Sequence, residues 1–232
     1  MKKILKGFSE KKDGLMYLPM KDALPENVAN RKLFFESKGL SGRKVVVANL
    51  VHGTTVAVVD ARAEYFVPAT DALLTKAPEI ILTLTGADCF PVYLEEKTAG
   101  IIGLAHCGWR GIVGEILPKT IAALIDMGGK KESTVLTIGP GICARHFEIT
   151  EDVLSSFSVY PEYIVQDKNI RVDLKGIIKK QAQEAGIASE HIVDTDECTY
   201  CLSDKYFSYR RDQPKTIEAQ VAYIVQFPHR KF

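Results

Sequence analysis

Two imidazoles and a thiol close three short apolar runs of this chain. His52 follows the run at 43–50, Cys89 the run at 80–84, and His106 the run at 100–105. Two histidines and a cysteine are a natural set for a catalytic zinc ion, because they leave a fourth position to water or substrate. Zinc so held lowers the pKa of a bound water toward roughly 7 and acts as a Lewis acid at neutral pH. The spacings are long, so no local finger-type motif is present. A single His or Cys is more often structural; these three stand out because each follows an apolar run and abuts small residues. Asp88, beside Cys89, has three readings: orienter of a metal-bound imidazole, general base, or cap of a turn.

The residues around this set extend the chemistry. In the run Gly108-Trp109-Arg110-Gly111 the glycines allow a close backbone approach, and Arg110 offers a fixed positive charge. A guanidinium binds phosphate or carboxylate bidentately, although a surface ion pair explains Arg110 equally well. Trp109, the only tryptophan, is either a stacking wall or core, and core is favoured. Cys107 is expected on the strand face opposite His106, as a small core hydrophobe. Gly139-Pro140-Gly141 makes a tight turn ahead of Cys143. Cys198 and Cys201 form a C-x-x-C without a second such pair, and read as structural thiols before a redox pair or half of a zinc site. The cluster from Tyr206 to Arg211 could line a pocket for a flat, phosphate-bearing or ribosyl substrate. His146, His191 and His229 lack companions in the sequence and read as incidental.

Positioning these groups requires strands. Period and residue type predict strands at 4–8, 43–50, 54–60, 80–84, 100–105, 134–138, 192–193 and 219–225. Helices are expected at 30–39 with Leu33 and Phe34 inward, at 112–127, at 151–157, and at 175–185 with Ile177, Ile178 and Ala182 inward. Residues 61–78 read as a loop with a short helix at 71–74. No repeat or linker interrupts the chain, so a single domain over 1–232 is expected.

Composition narrows the classes of function. A 232-residue chain with 46% hydrophobic and 25% charged residues has ample material for a core. A net charge of +1 gives no electrostatic case for nucleic acid or an anionic membrane. No apolar run approaches the roughly 18 residues that span a bilayer. The N-terminal stretch has lysines but few apolar residues, unlike a secretory signal. Five cysteines, an odd number, argue for reduced thiols and a cytoplasmic location.

The motifs VHGTTV, GADCFPVYL, AHCGWRGIVGEI, GPGIC with HFEI, VDL and CTYC with YFSYRRD occur in the order found in the YfiH-like family, which this chain resembles over roughly residues 30 to 211. Its members long carried a laccase-type polyphenol oxidase name and are now regarded as purine nucleoside phosphorylases. The resemblance implies a mixed α/β fold, layered as an α/β/β/α sandwich with mixed sheets. It also implies a zinc site at His52, Cys89 and His106. Phosphorolysis of adenosine, inosine, guanosine and methylthioadenosine is the expected activity, with deamination of adenosine as a further one. Purine nucleosides and phosphate would then be the partners, and Arg110 a phosphate contact. The chain departs from the family in its N-terminal segment, where FSEKKDGLMYLPM is shorter than the usual Gly- and Ser-rich run.

Three rival readings use the same residues. A multicopper oxidase needs a blue-copper site and a three-copper cluster, which five histidines cannot furnish, so copper is less favoured than zinc. A cysteine hydrolase would pair the Cys89 nucleophile with His106 as its base. A non-catalytic scaffold would carry the site as a vestige.

Overall fold

The computed structural model describes residues 3–228, so His229 lies outside the described residues. Two large mixed sheets carry the architecture. The first runs β1 (Ile4–Phe8), β14 (Gln220–Gln226), β6 (Ile80–Gly86), β2 (Lys44–Ala48) and β4 (Phe66–Val67). The second runs β13 (Ile192–Asp194), β9 (Thr134–Ile138), β7 (Phe90–Glu96), β8 (Ile101–Cys107), β5 (Ala72–Thr75) and β3 (Val56–Val58). A small third sheet joins β10 (Glu148–Ile149), β12 (Ile170–Val172) and β11 (Ile164–Gln166). The helices are α1 (Pro25–Ser37), α2 (Trp109–Val113), α3 (Ile116–Asp126), α4 (Glu151–Leu154), α5 (Leu174–Glu184) and α6 (Tyr209–Asp212).

The layers follow from which side chains each face must hide. Between the two sheets, Val46, Leu82, Leu84 and Ile224 meet Leu73, Tyr93, Ile102 and Leu104. On the outer face of the first sheet, Phe34 and Phe35 of α1 pack edge-on against Tyr223, each at 5.7 Å between ring centroids. Burying one such aromatic contributes about 1.5–3 kcal/mol relative to leaving it in water. On the outer face of the second sheet, Val92, Leu94, Ala105 and Cys107 share a core with Ile116, Leu117 and Ile121 of α3 and Ile177 and Ile178 of α5. The order is α/β/β/α with mixed sheets, as expected. Among the described residues no helix is long and apolar enough to cross a membrane.

Several elements differ from the expectation. Residues 66–67 and 72–75 are strands, and the segment read as a short helix at 71–74 is the start of the buried β5. Covered on both faces, β5 shows an unbroken apolar run that period alone cannot assign to helix or strand. The strand β7, with Pro91 at its second position, had no counterpart in the expected set. Helix α1 begins five residues earlier than expected, with Pro25 at its first turn, and Leu33 points to solvent. The expected helix at 112–127 is two helices, broken where Glu115 takes a left-handed φ of 66°.

A candidate metal centre at one end of the sandwich

The register of three strands brings the chemistry together. In the antiparallel pair of β5 and β8, Ala72 opposes Ala105 and Leu73 opposes Leu104. One step further along, Asp71 stands opposite His106, and the His106 N–H donates to the Asp71 carbonyl at 2.8 Å. In the pair of β7 and β8, His106 opposes Pro91, two residues after Cys89. Side chains alternate along a strand, so His106 shares the face of Leu104 and Ile102, while Cys107 turns to the helix-covered face. Cys107 is fully buried there, and that burial pushes its thiol pKa well up. Thus the stripe that fills the space between the sheets ends in Asp71, Cys89 and His106.

His52 arrives from the loop between β2 and β3. Its φ of 56° is unusual for a residue other than glycine, and such a conformation persists only where its surroundings hold it. Asp71 is what holds it. Its carboxylate accepts the backbone N–H of His52 at 2.9 Å, of Gly53 at 2.8 Å and of Val51 at 3.3 Å. The same carboxylate accepts from Nδ1 of His106 at 3.0 Å. With Nδ1 committed to that bond, Nε2 of His106 is the nitrogen left for a metal ion, which on binding would displace the proton it otherwise carries.

The three side chains form one group. Ligand atoms of His52, Cys89 and His106 lie within 4.8 Å of one another, and the two imidazole rings stand edge to face at 4.8 Å between centroids. Burial pushes the Cys89 thiol up, but His106 and His52 outweigh it by charge and hydrogen bonding and bring it down to about 6. Burial lowers His106, and the Cys89 thiolate with Asp71 raises it to about 9. One thiolate and two imidazoles are the donor set of a borderline-soft divalent cation, so these residues fit a bound metal ion.

Gly108 closes the wall behind this group. A Cβ there would sit 2.9 Å from Cys89 Sγ, 3.1 Å from His52 Cδ2 and 3.4 Å from His106 Cε1. The substitution Gly108→Ala is therefore expected to weaken metal binding at least tenfold by displacing ligand side chains. Its φ of −77° is one alanine adopts freely, so urea unfolding should change little. Competition with a chromophoric chelator, run beside that unfolding curve, checks both statements. Gly114 makes a second close approach, where a Cβ would meet Thr54 at 2.7 Å. Together with the bend at Glu115 it seats α2 against the loop that carries His52.

The remaining sequence-selected residues fall into two groups. Arg110 is exposed on α2, with its guanidinium 4.2 Å above the Trp109 ring. Trp109 is half-buried and lies 6.1 Å from Phe157, so core and Arg110 occupy its surroundings. Asp88 is buried with φ 88°, and both its carboxylate oxygens are engaged, by the Thr199 hydroxyl at 2.6 Å and the Arg210 N–H at 2.7 Å. It tethers the segment preceding Cys89 to the chain near residues 199 and 210. Asp71, absent from the residues selected by sequence, is the carboxylate that addresses a ligand imidazole.

The polar groups of the cluster from Tyr206 to Arg211 are spent largely on contacts within the protein. Arg211 donates to the carbonyls of Thr199, Tyr200 and Tyr206, and Arg210 donates to those of His146 and Glu148. Tyr206 is buried and donates to Glu197 at 2.8 Å. The turn at Gly139–Gly141 likewise spends its N–H groups on protein carbonyls, those of Pro91 and Glu197. His146 is not alone, as its place in the sequence suggests: Cys143, Cys198 and Cys201 surround it. His191 is half-buried near β13 and stands outside both groups.

The family model described as multi-copper polyphenol oxidoreductase laccase matches residues 16–225. The chain belongs to this YfiH-like, laccase-domain family. A Deinococcus radiodurans relative named purine nucleoside phosphorylase is 33% identical over 83% of this chain and 75% of that protein. A relative from an unidentified prokaryote, named adenosine deaminase RL5, is 28% identical over 72% of this chain and 70% of its own. Among solved structures, the Bacillus licheniformis YfiH protein superposes with a TM-score of 0.90 at 25% identity, covering 96% of this chain and 92% of that one. The family thus joins an oxidase description to relatives named for purine nucleoside chemistry, and the ligand group at the end of the sandwich must be weighed against both.

Proposed function

We propose that this YfiH-like protein is a zinc-dependent purine nucleoside phosphorylase acting on adenosine, inosine, guanosine and methylthioadenosine, with deamination of adenosine as a second activity. The observation that carries the reading is the group of His52, Cys89 and His106 with Asp71 behind it. It stands in a chain whose relative is named for that phosphorolysis. Zinc held there would supply a Lewis acid and lower the pKa of a bound water to about 7.

The protein's own residues do the positioning. Asp71 fixes the tautomer of His106 and the turn that presents His52. Trp109 holds Arg110 by cation–π stacking, which leaves the guanidinium edge open to a phosphate oxygen pair. A phosphate oxygen held by Arg110 would attack the ribose C1′ as the C1′–N9 bond breaks, and the departing purine would take up a proton from solvent to leave as the free base. Asp88 keeps the approach to Cys89 rigid through Thr199 and the Arg210 N–H. A multicopper oxidase remains poorly matched, since five histidines in the whole chain fall short of a four-copper ligand set. Purine nucleosides and phosphate are the partners of this reading, and a cytoplasmic location accords with it.

A second reading rests on the same Cys89 and His106. A thiol lowered to about 6 beside an imidazole raised to about 9 is a thiolate–imidazolium pair, the resting state of a cysteine nucleophile. Zinc-loaded protein with adenosine, assayed with and without phosphate, separates the two. Adenine and ribose 1-phosphate are expected only with phosphate present, and inosine in either case. Absence of all three products from zinc-loaded protein would defeat the phosphorylase reading. The substitution Arg110→Ala is expected to raise KM for phosphate roughly ten- to a hundredfold, as losing hydrogen bonds to a charged group worth about 1.5–3 kcal/mol implies. An unchanged KM would remove Arg110 from the phosphate site.

A further inference from the structure

A second group of metal-ligating side chains stands apart from the first. Ligand atoms of Cys143, His146, Cys198 and Cys201 lie within 4.8 Å of one another, and none of the four belongs to the group at His52. All three cysteines are free thiols. The Sγ atoms of Cys143 and Cys201 are 4.0 Å apart, and Nδ1 of His146 lies 3.3 Å from the first and 3.5 Å from the second. Around a tetrahedral zinc ion with bonds of about 2.3 Å to sulfur and about 2.0 Å to nitrogen, sulfurs sit roughly 3.8 Å apart and sulfur and nitrogen roughly 3.5 Å apart. The observed separations match those of ligands around one ion, not those of a disulfide.

The surroundings are built for the same purpose. The spacing is C-x-x-H at Cys143–His146 and C-x-x-C at Cys198–Cys201, two short turns of the kind that present paired ligands. A backbone bridge between Gly141 and Cys198, closed by Gly141 N–H to Glu197 O at 3.3 Å and Thr199 N–H to Gly141 O at 3.1 Å, lays the turns side by side. The Cys143 N–H donates to Cys198 Sγ at 3.3 Å, which favours thiolate at that sulfur. Tyr200 stacks flat on His146 at 4.0 Å and 12°, fixing the plane of the imidazole. Arg145 lies beside the Cys143 and Cys201 sulfurs and offsets the negative charge that three thiolates bring.

We propose that Cys143, His146, Cys198 and Cys201 bind a structural zinc ion that clamps the segment after β9 to the loop preceding α6. Four protein ligands leave no open position, so this ion holds structure and takes no substrate. The clamp has a consequence for the first site, because Thr199, between two of its ligands, donates to Asp88 next to Cys89. The proposal does not depend on the phosphorylase reading, since its test counts metal.

The test is zinc content of the full chain purified under reducing conditions. The wild type is expected to hold two equivalents of zinc per chain. Cys201→Ser and His146→Ala should each retain one, and either combined with His106→Ala should retain none. One equivalent in the wild type, lost wholly in His106→Ala, would overturn the proposal. So would zinc content unchanged by both Cys201→Ser and His146→Ala. Should those variants fail to fold, alkylation of the wild type decides. Zinc is expected to slow iodoacetamide labelling of Cys143, Cys198 and Cys201 at least tenfold, with chelator restoring it. Equal labelling of the exposed Cys201 with and without zinc, or a Cys143–Cys201 disulfide in the freshly isolated protein, would overturn it too.

Discussion

His106→Ala is expected to abolish phosphorolysis and deamination together, with a loss of at least a thousandfold in kcat/KM, and to release the metal bound at His52 and Cys89. The His106 side chain touches every other part of the centre. It pairs with Asp71, faces Cys89, and stands edge-on to His52. Removing it leaves a two-ligand remnant, too few for a tightly held zinc ion. The fold should survive, because the buried Asp71 carboxylate keeps its three backbone donors from residues 51–53. Circular dichroism and zinc content, measured beside turnover, separate loss of metal from loss of structure. Retained phosphorolysis in this variant would sink the zinc-centred reading. Zinc retained at the full wild-type content, with turnover lost, would instead favour the Cys89–His106 dyad, where the imidazole serves as a base.

What the chain discloses before folding is uneven, and the reason lies in range. His52, Cys89 and His106 are legible because each follows an apolar run, and strand ends are where side chains emerge from a buried sheet. Asp71 is not legible. Its value rests on standing across a strand pair from His106, 35 residues away, and on a turn 18 to 20 residues away. Nothing in Thr-Asp-Ala-Leu-Leu marks the Asp as more than a helix cap until β5 is known to be a strand. The same limit hid the second group, whose halves lie 55 residues apart. A signal was present there, in the matching C-x-x-H and C-x-x-C spacings, but a search for a second C-x-x-C passes over it. By contrast, the α5 face of Ile177, Ile178 and Ala182 depends on local period alone, and all three are buried as expected. The break at Glu115 fails the local test because its cause is tertiary, the packing of Gly114 on Thr54.

Asp71 also carries the second large prediction. Asp71→Asn keeps size and shape but replaces one carboxylate oxygen with an N–H₂ group. The wild-type oxygens accept four N–H donors, two on each: His52 and His106 share Oδ1, Val51 and Gly53 share Oδ2. An amide can satisfy only one of these pairs and points donors at the other. If its oxygen stays on His106 and the His52 N–H, an N–H₂ group faces the N–H groups of Val51 and Gly53, and the turn that presents His52 loses two of its three anchors. If it turns to Gly53, His106 Nδ1 faces an N–H, and the tautomer that frees Nε2 is lost. Either way one ligand imidazole is misdirected, so metal affinity is expected to fall 10- to 100-fold, the range seen when a carboxylate behind a ligand histidine is removed. An unsatisfied buried donor should also cost about 1–3 kcal/mol of stability. Chelator competition and urea unfolding measure the two effects separately, and they need not move together. Loss of stability with unchanged zinc affinity would make Asp71 a fold residue only; loss of affinity in a protein of near wild-type stability would establish it as the group that aims both histidines.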